Sequence, residues 1–457
     1  MTLASRLAAY ALAQTYSDLD PSTVEQLKLR LLDAAGCALG AFGEDPVRMA
    51  RKVAAAGGPR ESTLLGTGSK VQAELAAFAN GLMIRYFDYN DTYLSKEPAH
   101  PSDNLGACLA VAEAEGASGR DFLAAAAVAY EVQCRLCDAA DIRHRGWDHV
   151  NYGLVSTALA ASKLMGLDAG RAEQAVNIAL NAHIAMRQVR AGELSMWKGA
   201  SFANAARNGV FAARLAREGM TGPTPIFEGE MGFFRQVSGP FEVDVGGFGG
   251  EGGRFKVNDT YIKYWPAEYH AQTAVWAALD VRKQVEDLED VRSVLVETHE
   301  AGYAILGKDR EKWKPATKET ADHSLPYMVG MALLKGTLDN ASYSDRNLKD
   351  PAVLAFLEKV RVKEDPAFTA IYPEGGMANR VTAVLKGGRR VSAEAVVPRG
   401  HPLNPMSRAE VEAKFGRLSR GHLGDAGAKG AMKALWAVEE AREVGTVLAH
   451  LRPPRGR

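Results

Sequence analysis

Between Arg85 and Asn104 the chain reads RYFDYNDTYLSKEPAHPSDN, so three aspartates, a threonine, a lysine, a glutamate and a histidine crowd into twenty residues directly after the apolar run ELAAFANGLMI. These side chains can accept a proton, donate one and bind a carboxylate, and they fall where a helix runs out into a loop, a common place for chemistry. The plain alternative is a solvated helix end. Four further patches share the same mixture of rare polar residues with Gly, Pro or aromatic punctuation: RGWDHVNYG (145–153), SMWKGASFANAARNG (195–209), YIKYWPAEYHAQTA (261–274) and TADHSLPYMVG (320–330). Each lies at an expected helix beginning, where free amides and a partial positive charge suit carboxylates. Several such ends facing one cavity would bind a polyanion.

Within the patches, Lys198 and Lys263 are the candidate charge clamps, each flanked by bulky aromatics that exclude water and strengthen attraction to a carboxylate. Alternatively, each lysine snorkels over an apolar surface. His100, His149, His270 and His323 are candidates for acid/base work, against the alternative of structural histidines or helix caps. No H-E-x-x-H or other close-spaced ligand pattern accompanies them, so no metal site is expected. Neither a G-x-S-x-G elbow nor a Walker sequence is present.

These residues must be held by the elements around them. From the start to about Glu218, apolar residues recur at spacings of three and four, with Gly closing several segments. That pattern predicts helices over 22–42, 71–86, 104–116, 119–141, 152–166, 170–188 and 199–219. No strand alternates between them as a doubly wound sheet would require. The stretch 223–259 is a Gly-, Phe- and Pro-rich connector containing a formal G-x-G-x-x-G at Gly247, Gly249 and Gly252. RFKVNDTYIKYW follows, which does not open a helix, so a dinucleotide fingerprint is rejected. Beyond Tyr269 come a helix at 270–287, a strand at 291–299, helices at 319–336 and 347–358, then KVRVKED, NRVTAVLK and RRVSAEAVV as strands. Gly387 and Gly388 turn the last two into a hairpin. After His401–Pro402 helices return at 407–419 and 424–446 and would pack back on the first unit. The fold class is therefore mostly α: a large helical domain from both chain ends (1–258 and 404–457) plus a smaller α+β lid domain (259–403).

A chain of 457 residues with 47% hydrophobic and 24% charged content has room for two cores. Lys+Arg and Asp+Glu both number 55, so there is no global field to draw nucleic acid or an anionic membrane. The N-terminus reads as an amphipathic helix, not a secretory leader, and no apolar run reaches the roughly 18 residues of a membrane span, so a soluble cytoplasmic protein is expected. Cys37, Cys108, Cys134 and Cys137 all sit in alanine-rich helical contexts. The C-x-x-C of the last two has no second pair and no Gly or Pro knuckle, so structural thiols are expected.

Taken together, FDYNDT, HPSDNLGA, WDHV, SMWKGASFANAARNG, IKYWPAEYHAQTA and HSLPYMVG resemble the signatures of the MmgE/PrpD family, which includes 2-methylcitrate dehydratase, cis-aconitate decarboxylase and related epimerases. The likeness runs from about Ala8 to the C-terminal helix. It implies a cleft between a helical and a lid domain, a homodimer, and site residues Asp88, Thr92, His100, Lys198, Lys263 and Tyr327, with His149 matching less closely. The interval from Thr92 to His100 and the strings DHV and P-A-E-Y-H-A-Q-T look like the 2-methylcitrate dehydratase branch. A dehydratase needs a base for the C–H, an acid for the departing hydroxyl and cations for the charge that develops on the carboxylate. The resemblance gives His100 as the principal acid/base group, with Asp88 orienting it or acting beside it, Tyr327 sharing proton transfers, Thr92 hydrogen-bonding a carboxylate, and Lys198 and Lys263 holding carboxylates. Four cysteines scattered through helices cannot ligate an iron–sulfur cluster, so the reaction is expected to need no cofactor. Decarboxylation or epimerisation of a related polycarboxylate, and a non-catalytic helical binding protein, stand as alternatives.

Overall fold

A computed structural model describes residues 1–454. Helix takes 59% of the chain and strand 9%, so the protein is mostly α with a small α+β part. Buried apolar residues fall into two clusters. The first runs from Leu3 to Ile262 and resumes from Met406 to Leu451, while the second spans Ala267 to Val391. Among the described residues, no helix is long and apolar enough to cross a membrane.

The first unit is built from helices whose small residues let their axes approach closely. Ala73–Arg85 packs against both Leu105–Ala114 and Trp197–Arg217. A Cβ on Gly106 would lie 2.6 Å from the Gly81 backbone nitrogen, so only glycine permits that crossing. This contact fixes the spacing of the two ends of the loop over 86–104. The C-terminal helix Arg408–Trp436 packs along Pro21–Gly40, and its Lys414 reaches the loop itself. Buried Lys414 Nζ pairs with Asp33 and donates to the carbonyls of Tyr89 (2.7 Å) and Lys263 (2.9 Å). One side chain from the far end of the sequence thus ties down the backbone on both sides of Asp88 and Lys263.

The second unit is a four-stranded sheet in the order Val360–Glu364, Val291–Thr298, Asn379–Leu385, Arg390–Ala395. The first pair is parallel and the others antiparallel, the last being the hairpin turned by Gly387 and Gly388. Gln272–Arg282 and Leu325–Lys335 pack against each other, and the former also covers Asn379–Leu385 and Arg390–Ala395.

Three elements differ from the pattern-based expectation. The helix expected over 170–188 ends at Ala182, and Arg187–Arg190 forms a separate 3-10 turn. The expected 407–419 and 424–446 helices meet at Gly424, whose φ of 70° and ψ of 169° break the helical run there, and the second ends at Trp436, ten residues early. The single helix expected at 319–336 is broken into Lys318–Ala321 and Leu325–Lys335. There the Ser324 hydroxyl caps the Tyr327 amide at 3.1 Å and Pro326 occupies the first turn, a local start signal that overrides continuous periodicity. Asp322 and His323 become a corner between the two helices.

Candidate active site

The helix Ala73–Arg85 ends at Tyr86, and Asp88 then takes a φ of 51°. Aspartate tolerates this left-handed conformation better than most residues, and here the turn is clamped from outside. Lys263 Nζ donates to the Asp88 carbonyl at 2.9 Å and pairs with its carboxylate. Arg85 Nη1 lies 2.9 Å from the same carboxylate and Lys198 Nζ 3.0 Å away. Burial would raise the Asp88 pKa, but the surrounding Arg85, Lys263, Lys198 and His323 outweigh it and hold the carboxyl well below the ordinary range. Asp88 is thus the hub of a cation cluster.

His100 sits just before the short Pro101–Asn104 turn that opens the next helix. Its Nδ1 faces the Asp91 carbonyl at 2.7 Å, and its Nε2 meets Arg85 Nη2 at 3.0 Å. An imidazole so placed donates from Nδ1 and accepts at Nε2. The expectation that Asp88 orients His100 is therefore corrected: Asp91 does so through its backbone, while its carboxylate is held by the Ser102 amide (2.9 Å) and the Tyr130 hydroxyl (2.8 Å). Burial first, then Arg85 and Lys263, push the His100 pKa well down, so the ring is neutral.

The His149 Nδ1 lies 2.8 Å from Asp148 Oδ1, and its Nε2 is buried without a partner among the described residues. Asp148 is itself fixed by Arg190 Nη2 at 3.1 Å and the Ser201 hydroxyl at 3.1 Å. Burial lowers the His149 pKa more than Asp148 raises it. The rings of His100 and His149 meet edge to face with centroids 5.9 Å apart.

Both imidazoles line a cavity of about 100 Å³ between the two units, shared with Arg85, Asp88, Thr92, Arg187, Arg190, Lys263, Glu268, His270 and His323. Seven of the sequence-derived candidates, Asp88, Thr92, His100, His149, Lys263, His270 and His323, are brought together here. Lys198 lies just behind the wall, where Nζ meets Asp322 Oδ1 at 2.8 Å and His323 Nδ1 at 3.0 Å. Thr92 lines the cavity, but its hydroxyl donates to the Ala99 carbonyl at 3.1 Å, leaving it to accept rather than donate to a ligand.

Tyr327 does not reach the cavity, which corrects its expected share in proton transfer. Its ring is buried in the second apolar cluster, and its hydroxyl donates to the Ser342 carbonyl at 2.7 Å. A continuous helix would have stacked Tyr327 one turn above His323, whereas the break at Ser324 turns the two apart. His323, kept at the corner, has its pKa pushed down to about 4 by burial and then by Lys198.

On the lid side, His270 Nδ1 lies 2.8 Å from Glu268 Oε1 and Nε2 3.0 Å from the Tyr372 hydroxyl. Burial opposes protonation, but Glu268 and Tyr372 raise the His270 pKa to about 10, while Glu268 falls to about 2 with His270 as the main stabilising partner. This is an imidazolium–carboxylate pair at neutral pH. Among the lining residues, Arg85, Arg187, Arg190, Lys263 and protonated His270 outnumber the carboxylates of Asp88 and Glu268. The cavity carries the charge balance a polyanion needs.

Arg85, Arg187, Arg190, Glu268, Asp148 and Asp322 were not singled out from sequence. The one legible signal was the RQVRAG stretch, two arginines just ahead of SMWKG. Asp88, Asp322 and His323 offer ligand atoms within 4.8 Å of one another, a spacing that could hold a cation. Lys198 Nζ already stands within 3.0 Å of all three, so an ammonium balances the charge a metal would balance.

Residues 5–245 match the MmgE/PrpD N-terminal domain and residues 265–438 the MmgE/PrpD C-terminal domain. The chain belongs to the MmgE/PrpD family. Among curated family members it is 33% identical to 2-methylcitrate dehydratase of Escherichia coli (strain K12), over 81% of this chain and 80% of that one. It is 32% identical to the Salmonella typhimurium 2-methylcitrate dehydratase over the same shares. A probable 2-methylcitrate dehydratase of Saccharomyces cerevisiae is 29% identical over 76% of this chain and 71% of its own.

Proposed function

We propose that this chain is a cofactor-independent dehydratase of the lyase class, acting on 2-methylcitrate or a related tricarboxylate. The observation that carries the reading is the cation-rich cavity in which two neutral imidazoles, His100 and His149, face each other beside Arg85 and Lys263. His149 is the proton acceptor in this reading, because Nε2 is free and Asp148 steadies the imidazolium that forms. Arg85 and Lys263 neutralise the charge that develops on the substrate carboxylate as the α-proton leaves. Carboxylates at those two cations offset the part of the His100 depression that Arg85 and Lys263 add to burial, so that His100 takes up a proton from solvent and gives it to the departing hydroxyl, which leaves as water, while His149 later releases the α-proton to solvent. The division into a helical domain (1–258 and 404–457) and a lid (259–403) belongs to the same proposal, with substrate bound where they meet.

Substrate profiling tests it. Purified protein is offered 2-methylcitrate, citrate and cis-aconitate while alkene absorbance and carbon dioxide are followed. Alkene from 2-methylcitrate is the expected outcome; carbon dioxide from cis-aconitate would move the chain to the decarboxylase activity, and no turnover of any of them would remove the reading.

The homodimer implied by the family fits an apolar face formed by exposed Met49 and Val53 with Trp197 and Phe211, around a groove floored by Leu75, Phe78 and Leu82. Trp197, Ala200, Asn204, Arg207 and Phe211 recur every three to four residues, so they form one stripe along their helix. Sedimentation should give a dimer for the wild-type chain and a shift to monomer for Trp197→Glu, while a wild-type monomer would contradict this assignment.

A further inference from the structure

One cation in the cavity has nothing to hold. Arg85 is paired with Asp88, Lys263 with Asp88, Arg190 with Asp148 and protonated His270 with Glu268. Arg187 lines the same cavity, half-buried, and its guanidinium makes no ion pair or hydrogen bond among the described residues. Burial disfavours its charge; Glu97 and Asp148 favour it without contacting it, and Arg143 and Arg190 add smaller opposition. A partly desolvated, forked donor with no acceptor is costly unless a ligand supplies one.

The backbone that carries Arg187 is fixed relative to the acid/base pair. The Arg187 amide donates to the Gly146 carbonyl at 2.8 Å, the Asp148 amide to the Ala185 carbonyl at 3.0 Å, and Trp147 bridges Met186. The side-chain amide of Asn151 closes the same junction, donating to the Ala185 carbonyl at 3.1 Å and accepting its amide at 2.6 Å. The arginine is therefore held in register with His149 by a short two-stranded contact at the start of the 3-10 turn Arg187–Arg190. Lys263, by contrast, is shared with Asp88 when it meets the reacting carboxylate, and Lys198 is held by Asp88 and Asp322.

We infer that Arg187 is the residue that binds a carboxylate of the substrate distal to the reacting carbon and so selects tricarboxylates over dicarboxylates. This rests on the tricarboxylate reading above and adds the group that would count the third carboxylate. Its fork donates two parallel N–H bonds to the oxygens of one carboxylate, which a lysine ammonium does not match.

The test is calorimetric titration with tricarballylate, which carries three carboxylates and no hydroxyl to eliminate, and with glutarate, which carries two. Arg187→Met should weaken tricarballylate binding by about 10- to 100-fold, the range of one charge-assisted contact. Glutarate binding should change by less than about threefold, and Arg187→Lys should recover part of the loss because it restores charge without the fork. In turnover, KM for the tricarboxylate should rise while kcat holds within a few-fold. Equal losses for both ligands would mean Arg187 only supports the fold, and unchanged binding by Arg187→Met would overturn the assignment while leaving the dehydratase reading intact. A wild-type protein that binds no tricarballylate overturns both together.

Discussion

Replacing Asp88 with asparagine should cost about 3–5 kcal/mol of stability and lower turnover by at least about a hundredfold. Asparagine tolerates the left-handed backbone at this position almost as well as aspartate, so the substitution removes charge and little else. Arg85 would then keep Asp103 and Lys198 would keep Asp322, while Lys263 would lose its only carboxylate among the described residues. Removing one member of a buried ion cluster leaves the rest uncompensated, which is why the cost exceeds that of any surface pair. The sign with pH follows from the depressed Asp88 pKa. Its stabilisation is fully present above the ordinary carboxylate value of about 4 and is lost only as pH falls through the lower folded value. Thermal unfolding as a function of pH checks this: the wild type should lose stability on acidification more steeply than Asp88→Asn. Equal melting temperatures for the two at neutral pH would show that the cluster does not depend on this carboxylate.

The second large effect belongs to His149. His149→Gln should reduce kcat by about 10²- to 10⁴-fold, the range for removing a general base, with Asp148→Asn giving a smaller loss in the same direction. Because the His149 pKa lies below the ordinary 6.5, the acid limb of kcat/KM, which reports the free base, should lie below 6.5. The acid limb of kcat should lie higher than that of kcat/KM, since bound carboxylates favour the protonated imidazoles. Stopped-time assays on the wild type and His149→Gln across pH measure both. Wild-type turnover in the glutamine variant would take His149 out of the mechanism and leave His100 as the residual candidate.

Much of this was legible in the sequence, for reasons that differ by element. The long helices were visible because alanine-rich apolar spacing has only one helical interpretation over fifteen or twenty residues, and the C-terminal return was visible because its helices needed a partner. The break before Leu325 was written in Ser324 and Pro326, yet the periodicity of the surrounding apolar residues hid it, whereas the role given to Tyr327 came from the family resemblance alone. The lysines were found as charges near one cavity, but not as partners of Asp88, since Lys263 lies 175 positions from the carboxylate it holds. No local pattern reports such a pairing. His149 stood next to the aspartate that steadies it, so its advantage over His100 was in the sequence all along, expressed only once the unpartnered Nε2 could be seen. Arg187 and Arg190 lie in a 3-10 turn beyond the early end of the expected 170–188 helix, and its register with Gly146–Asp148 is set by tertiary hydrogen bonds.

The most direct test of the central claim is dehydration itself, with metal removed. Protein treated with excess chelator is incubated with 2-methylcitrate, and alkene and carbon dioxide are measured together. Alkene should accumulate at the untreated rate with no carbon dioxide released. No alkene, or alkene only after a metal is restored, would contradict a dehydratase that works through His149, His100 and the Asp88 cation cluster alone.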